Sequence, residues 1–284
     1  MRRARAALPG LLIVLGIVVL AGVLWEGYKA LGQATGDVWP GTSIALPVAT
    51  DDYAMPHLLD IAHALGEPIS GSSGMSLLTY LLIETSVTVR EAAYGVLFGG
   101  AIGFVAAVAL REARFLNRGV MPWLVASQTI PLVALAPIIV IWVGQQGYPS
   151  WIAVTVIAAY LSFFPVTVST LKGLNAVDPI HDELMASLAS PRWYTVLRLR
   201  IPTALPHIFT GLRLAATASV VGAVVGELAA GTGRGIGRAI FTASYFFSNA
   251  PETLFAAVLI ASLAGIVFVQ IVSLTEALVL RNRS

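Results

Sequence analysis

The sequence predicts an all-α polytopic membrane protein with six transmembrane helices. Of its 284 residues, 57% are hydrophobic and only 11% are charged, and the mean hydropathy is +0.83. Soluble domains contain about 25% charged residues, so this supply of charge is too small to cover a water-facing surface. Apolar stretches of about 20 residues, the length that crosses a bilayer as a helix, recur along the chain. Together these observations exclude a soluble enzyme and a disordered chain.

Six apolar segments are long enough to cross a bilayer core of about 30 Å as helices. They lack the period-2 alternation of barrel strands, and an open strand in lipid would leave backbone groups unpaired. The domain organisation follows: an N-terminal transmembrane helix (1–31), an external loop (32–84), and a core with five transmembrane helices (85–284). The predicted spans are residues 8–31, 85–110, 120–143, 151–171, 208–228 and 254–274.

The first segment is interpreted as a retained membrane anchor. Arginines at positions 2, 3 and 5 precede it, as they precede the apolar region of a secretory signal, which is the alternative. The uncharged stretch of residues 8–25 is longer than the roughly 7–15 residues of such a region, and this favours the anchor. Trp25 and Tyr28 then supply the aromatic residues typical of a membrane interface.

The distribution of Lys and Arg places both termini in the cytoplasm. Twelve of these residues lie on the loops assigned to the cytoplasm, whereas the external loops carry Arg234 and Arg238, with Lys29 and Arg90 at span edges. This asymmetry is typical of multi-pass membrane proteins. The twelve are Arg2, Arg3, Arg5, Arg111, Arg114, Arg118, Lys172, Arg192, Arg198, Arg200, Arg281 and Arg283.

Net charge and the absence of cysteine narrow the possible partners. The 17 Lys and Arg residues and 15 Asp and Glu residues give a net charge of +2. A concentrated basic face is therefore missing, and we expect no nucleic acid partner. Without cysteine there are no disulfides or thiolate metal sites. The histidines lack a metal-ligand spacing such as H-E-x-x-H, so no metal site is predicted; they are His57, His63, His181 and His207.

The external loop contains one segment with helical spacing. Within residues 56–65, a set of side chains follows helical spacing, which predicts a helix too short to cross the membrane; they are His57, Leu58, Ile61, Ala62 and Leu65. We interpret it as an interfacial helix at the external mouth, and the alternative is a plain linker.

The longest cytoplasmic loop, residues 172–207, contains a clear helix start. Asp178 is followed by Pro179, and this pair is typical of an N-cap and a first helical position. Ile180, Leu184 and Leu188 recur every four residues and predict an apolar stripe along the helix. The stripe must face either the chain's own helices or a partner protein.

A second helix is predicted directly after the first. Ser190 and Pro191 repeat the pattern of N-cap and proline, so the chain is expected to turn sharply there. Pro202 and Pro206 are expected to end this helix before the fifth span begins. The loop is therefore predicted as two short helices joined by an exposed corner, a shape that fits a groove on another protein.

Polar side chains deep in the spans are candidates for lining a polar path through the membrane, because they face either a partner helix or a wet cavity. Glu227, near the outer end of the fifth span, either orients the Gly-rich turn of residues 231–237 or is a solvated interfacial acid. Gly95, Gly99 and Gly103 form a ridge that predicts close helix packing. The path candidates are Ser127, Gln128, Thr129, Thr217, Ser219 and Glu227.

The loop also carries a recognisable pattern: ELMASLASPRW at residues 183–193, IPTALP at 201–206 and GLR at 211–213. These runs resemble the "EAA" loop of permeases in binding-protein-dependent ABC importers, and most of all the nitrate, sulfonate, taurine and bicarbonate group. Residues 130–144 and 227–237 resemble the third-span and external-turn signatures of the same group. The resemblance extends over about two-thirds of the chain.

In that family, a short coupling helix in the loop docks into a cleft of the cytoplasmic ATPase. Leu184 and Met185 replace the two alanines of the family pattern, and Ala189 replaces its glycine. Because alanine is nearly the smallest replacement and favours helix, we expect the coupling geometry to be kept. The docking residues that the resemblance implies are Asp182, Glu183, Leu184, Met185, Ala186, Ser187, Leu188, Ala189, Ser190, Pro191, Arg192 and Trp193.

The resemblance implies the ABC importer permease fold and the transmembrane permease subunit of an ATP-driven importer, which works by alternating access. Its cargo would be a small oxyanion, a sulfonate or a heterocyclic precursor. Implied partners are two ABC ATPase subunits, an extracytoplasmic solute-binding protein, the lipid bilayer and a second permease copy, with a homodimer favoured over a heterodimer. ATP and Mg would be bound by the ATPase, so this chain is expected to hold no cofactor and to be no enzyme. The implied location is the bacterial plasma (inner) membrane.

Two other classes are weighed against this one. An ion-coupled secondary transporter is the main alternative; it would need inverted repeats and intramembrane ionisable pairs, and the sequence shows no obvious repeat and almost no mid-span charge. An intramembrane hydrolase or transferase would need a catalytic constellation inside the spans, and none is evident in the sequence.

Overall fold

The computed structural model describes residues 2–69, 74–231 and 233–281, and within them all side chains except those of residues 2–15 and 114. The charged side chains of Arg2, Arg3, Arg5, Arg114 and Arg283 used for the orientation lie outside the described residues. In the described part, regular structure consists of helices and two isolated β-bridges. The helices are α1 (Arg2–Thr35), α2 (Leu58–Gly66), α3 (Leu77–Glu112), α4 (Arg114–Ser127), α5 (Leu132–Gln145), α6 (Ser150–Leu174), α7 (Pro179–Ser187), α8 (Arg192–Thr195), α9 (Ile201–Ala230), α10 (Ile236–Tyr245) and α11 (Pro251–Arg281).

The all-α fold class is confirmed, and the span count is approximate. Across the described residues, four helices are long and apolar enough to cross a bilayer, and a bent pair of helices makes a fifth if it is counted as one span. The predicted second, fourth, fifth and sixth spans lie within α3, α6, α9 and α11. The predicted first span lies within α1, where the side chains of residues 8–15 are outside the described part.

The predicted third span, residues 120–143, is wrong as a single helix. The chain forms α4 and α5 instead, and the segments Phe115–Ser127 and Leu132–Gln145 meet at an angle of 96°. Pro131 stands at the N-cap of α5 with ψ of 113°. Proline has no amide hydrogen to continue a helix and pushes the preceding residue out of the helical region, so α4 ends before it. The break therefore lies in the middle of the predicted span.

The predicted end of the second loop helix at Pro202 and Pro206 is also wrong. The helical path runs without interruption over Arg192–Ala230, and a π-helical turn, Val196–Arg200, ends two residues before Pro202. There the amide of Ile201 donates to the carbonyl of Val196, five residues back. The wider turn relieves the clash that a proline ring makes with the carbonyl four residues earlier, so the helix tolerates Pro202.

The described helices divide into two compact units. One comprises Met1–Tyr80 and Thr242–Val258, and the other Leu81–Phe241 and Leu259–Ser284. In the first unit, α1 is connected to the loop that follows it through Lys29, whose buried Nζ donates to Asp52 Oδ1 at 2.6 Å and to the Met55 carbonyl at 2.7 Å. The hydrogen bond from Lys29 to Asp52 and the charge of the ammonium group lower the pKa of the Asp52 carboxyl below its ordinary value. Helix α2 forms where the sequence predicts a helix, and its place at a membrane interface stays a prediction.

In the second unit, glycines let α3 and α9 approach α6 closely. A Cβ built on Gly95 would lie 2.5 Å from the Cβ of Ala158, and one on Gly222 would lie 2.9 Å from the Cα of the same residue. Gly99 and Gly103 likewise face the backbone of α6. The predicted packing role of the Gly95, Gly99 and Gly103 ridge is confirmed, since any side chain there would separate the helices.

Candidate functional site

Helix α7 begins where the sequence predicts. Asp178 has extended backbone angles, and its carboxylate accepts the amide of Ile180 at 3.0 Å. Pro179 occupies the first helical position, where a missing amide hydrogen costs nothing. The predicted N-cap is thus confirmed.

The corner after α7 is closed by a Schellman motif. Ala189 has a φ of 50°, in the left-handed region. Its amide donates to the carbonyl of Ala186 at 2.9 Å, and the amide of Ser190 donates to the carbonyl of Met185 at 3.0 Å. This pair of bonds satisfies carbonyls that the end of a helix leaves free. Ala189 therefore takes the position that glycine usually holds, and the predicted corner is present.

Ser190 does not cap the second helix, so that part of the prediction is wrong. Pro191 precedes α8 in the N-cap position, and no side chain caps α8. The amide of Ser190 already closes α7, which places this residue in the turn between the helices, one position too early for an N-cap.

The apolar stripe of α7 faces away from the chain. No residue of α7 is buried among the described residues. Ile180, Leu184 and Leu188 are 65%, 55% and 68% exposed, and Trp193 beyond the corner is 64% exposed. Exposed apolar side chains that recur on one helix face are typical of a surface that packs against a partner.

A cluster of charged side chains lies behind α7. Asp182 contacts Arg111 at 3.4 Å and Arg200 at 3.2 Å, and Arg200 also pairs with Glu112. These residues line an open pocket of about 450 Å³ together with Ala186, Ser190, Arg192 and Thr195. Sequence reasoning used Arg111 and Arg200 only for orientation and missed the cluster. Their positions near the ends of long helices, in a chain with few charges, could have indicated that they pair with an acidic residue.

At the other end of the same unit, carboxylates hold the Gly-rich turn. Glu84 accepts Arg234 Nε at 2.9 Å and the amide of Gly235. Glu227 is fully buried and accepts the amide of Gly237 at 2.6 Å. The sequence left two roles open for Glu227. Its hydrogen bond to the Gly-rich turn agrees with a role in orienting that turn, and its burial rules out a solvated interfacial acid. Thr232 within this turn lies outside the described residues. Sequence reasoning missed Glu84, which it assigned to the external loop.

The remaining path candidates lie in three separate places. Around the α4–α5 break, the hydroxyls of Ser127 and Thr129 donate to carbonyls of α4, while Gln128 is exposed. Thr217 is exposed on α9. Ser219 is fully buried, and its hydroxyl donates to the carbonyl of Ala92 at 2.6 Å, so it joins α9 to α3. A role in a path stays a prediction for all of them.

Comparison with known proteins identifies the family. Residues 99–280, which include α7, the corner and α9, match the family described as binding-protein-dependent transport system inner membrane component. The chain belongs to this family. The suspected resemblance is thereby confirmed, and membership makes the chain a multi-pass inner-membrane component of a transport system.

Relatives of this inner-membrane component include the formylaminopyrimidine transport permease protein ThiX of Halalkalibacterium halodurans. It is 42% identical over 129 residues, which are 44% of this chain and 50% of the relative. The riboflavin transport system permease protein RibX of Chloroflexus aurantiacus is 36% identical over 38% of this chain and 41% of its own length. The nitrate import permease protein NrtB of Synechococcus elongatus is 27% identical over 52% and 51%. The chain spans about half the length of the curated relatives it matches.

Solved structures share the fold. A bacterial ABC transporter involved in the import of the acidic polysaccharide alginate aligns over 96% of both chains with a TM-score of 0.57 and 14% identity. An amino acid ABC transporter crystallised with histidines aligns over 70% of this chain and 94% of its own, with a TM-score of 0.55 and 18% identity. At these identities the likeness establishes the fold.

Proposed function

We propose that this chain is the transmembrane permease subunit of an ATP-driven ABC importer. The observation that carries the proposal is the exposed apolar face of α7 and its closed corner, inside the part of the chain that matches the family. A surface of this kind fits a cleft on a partner, and the partner that the family resemblance implies is an ATPase. The proposed docking surface comprises residues 182–193, and contact is made through its exposed apolar side chains, whereas the side chain of Asp182 pairs with Arg111 and Arg200 behind α7.

The proposed mechanism is alternating access. ATP and Mg bind to two partner ATPase subunits, and binding shifts the permease between inward and outward openings. A ligand shifts such an equilibrium only through its different affinity for the two states. The docked helix α7 must therefore couple the conformation of the ATPase to that of the transmembrane helices. The proposal includes an extracytoplasmic solute-binding protein and a second copy of this chain.

The proposed cargo is a small oxyanion, a sulfonate or a heterocyclic precursor. Relatives are named for formylaminopyrimidine, riboflavin, aliphatic sulfonates, nitrate and bicarbonate. We place the chain in the bacterial inner membrane with both termini cytoplasmic, residues 32–84 outside, and the coupling loop 172–207 inside. Path candidates are the polar residues Ser127, Gln128, Thr129, Thr217, Ser219 and Glu227.

Purification from a producing strain and reconstitution in liposomes test the proposal. We expect an ATPase to copurify, and we expect uptake of the cargo to require ATP and to persist when ion gradients are collapsed. Uptake that follows an ion gradient without ATP would instead indicate the secondary transporter.

Two matched variants locate the docking surface. Leu184→Ser removes an exposed apolar side chain from α7 and should weaken ATPase binding about fivefold or more, the effect of losing one well-placed contact. Leu59→Ser removes a leucine of α2 that is 73% exposed, against 55% for Leu184, and should leave ATPase binding unchanged. Equal binding by the two variants would contradict docking through α7.

A further inference from the structure

Helix α7 buries none of its described residues against the rest of the chain, but its Asp182 carboxylate is ion-paired. The apolar side chains of Ile180 and Leu184 point outward. Short turns connect both of its ends to the rest of the chain, at 175–178 and 188–191. A helix attached only by turns would tilt when a partner pushes on it, so its rigid connection to the spans must come from another contact.

Asp182 supplies that contact with both of its oxygens. Arg200 approaches it as a fork, with Nε 3.2 Å from Oδ1 and a terminal nitrogen 3.4 Å from Oδ2. Arg111 reaches Oδ2 at 3.4 Å. The side chains of Asp182, Arg111 and Arg200 are 26%, 19% and 17% exposed. Paired charges with a fork geometry and limited exposure are screened less by salt than surface pairs and fix orientation as well as distance.

Each arginine is itself fixed to a different helix end. Arg111 lies in the last turn of α3, and its Nε donates to the Leu174 carbonyl at the end of α6 at 3.4 Å. Arg200 closes the π-helical turn before α9 and pairs with Glu112 at the end of α3. One carboxylate on α7 therefore meets groups fixed to three of the long helices.

We propose that Asp182 is the positioning residue that makes α7 move together with the ends of α3 and α9. The inference rests on the proposed function, and it assigns the transmission of motion to one carboxylate. Displacement of the apolar face of α7 reaches the spans through this ion-paired cluster, because Asp182 connects α7 directly to side chains at the ends of the long helices.

The test uses the complete complex of permease, ATPases and solute-binding protein in liposomes, with ATP hydrolysis and cargo uptake measured together. Asp182→Asn keeps the shape of the side chain and removes its charge. We expect the ATPases to copurify in normal amounts and hydrolysis to continue, while uptake per ATP falls about fivefold or more, the lower range of coupling between sites. Asp182→Glu should recover most of the uptake per ATP.

Glu276→Gln is the matched control. It breaks an ion pair of similar length in the same unit, with Arg213 at 3.1 Å, that does not touch α7, and uptake per ATP should stay normal. Normal uptake per ATP in Asp182→Asn would overturn the inference. Loss of the ATPases from that variant would overturn it too, because Asp182 would then serve docking. If the wild-type chain itself fails to copurify with an ATPase, the proposed function fails first.

Discussion

Replacing Ala189 with glycine should stabilise the corner between α7 and α8. The φ of Ala189 is 50°, and an L-residue with a Cβ pays about 1–2 kcal/mol in that region. Glycine removes this strain, but it also raises the conformational entropy of the unfolded chain, which costs about 0.4–1 kcal/mol. The net effect should be a stabilisation of about 0.8 kcal/mol.

Hydrogen exchange measured by mass spectrometry detects this change. The amides of Ala189 and Ser190 are bonded to the carbonyls of Ala186 and Met185, so they exchange when the corner opens. A stabilisation of about 0.8 kcal/mol slows their exchange about fourfold in peptides that cover residues 186–192. A peptide covering α2 should exchange at the wild-type rate.

Ala189→Val gives the opposite test. A β-branched residue is a strong outlier in the left-handed region, so exchange in the same peptides should become faster than in the wild type. If glycine left exchange unchanged or accelerated it, the left-handed corner would not be the state that the protein adopts, and the explanation of the corner would be refuted.

Three further changes test the packing and the charges. Glu84→Ala should cost about 1–3 kcal/mol, because it leaves a buried amide of the Gly-rich turn unpaired, and a thermal melt equal to wild type would contradict this. Gly95→Ala should cost about 1–3 kcal/mol by overpacking, whereas Gly144→Ala, where a Cβ meets nothing within 4 Å, should melt as the wild type. The hydrogen bond from Lys29 lowers the pKa of Asp52 from its ordinary value of 3.8. The stabilisation that this ion pair adds to the fold is therefore present above pH 3.8 and is lost as the pH falls below that value. The melting temperature of Asp52→Asn should therefore fall less steeply than that of the wild type as the pH is lowered through the acid range. An equal dependence of the melting temperature on pH in the two proteins would contradict a stabilising Lys29–Asp52 pair.

Local rules predicted what depends on neighbouring residues. The start of α7 followed from Asp178 and Pro179, and both the cap and the helix are present. The glycine ridge on α3 followed from its four-residue spacing, and α6 lies against it. These predictions held because caps and helix faces are set by residues within a turn of one another.

Proline rules failed in two opposite ways. Pro131 breaks the helix that hydropathy predicted as one span, while Pro202 lies inside a helix that the same rule expected to end. Both outcomes depend on whether the surrounding backbone can rearrange. At Pro202 a π-helical turn does so, and at Pro131 the chain bends by 96°.

By itself, the sequence determined that this is a chain of long apolar helices in a membrane with a capped helix in the loop of residues 172–207, since composition and periodicity act over short stretches. Only the tertiary structure decided which charges meet. Asp182 and Arg111 are 71 residues apart in the chain, and Glu84 and Arg234 are 150 apart. No local pattern relates such residues, because their partnership depends on how α3, α6 and α9 pack, and that packing brings the carboxylate of α7 to the arginines that hold it.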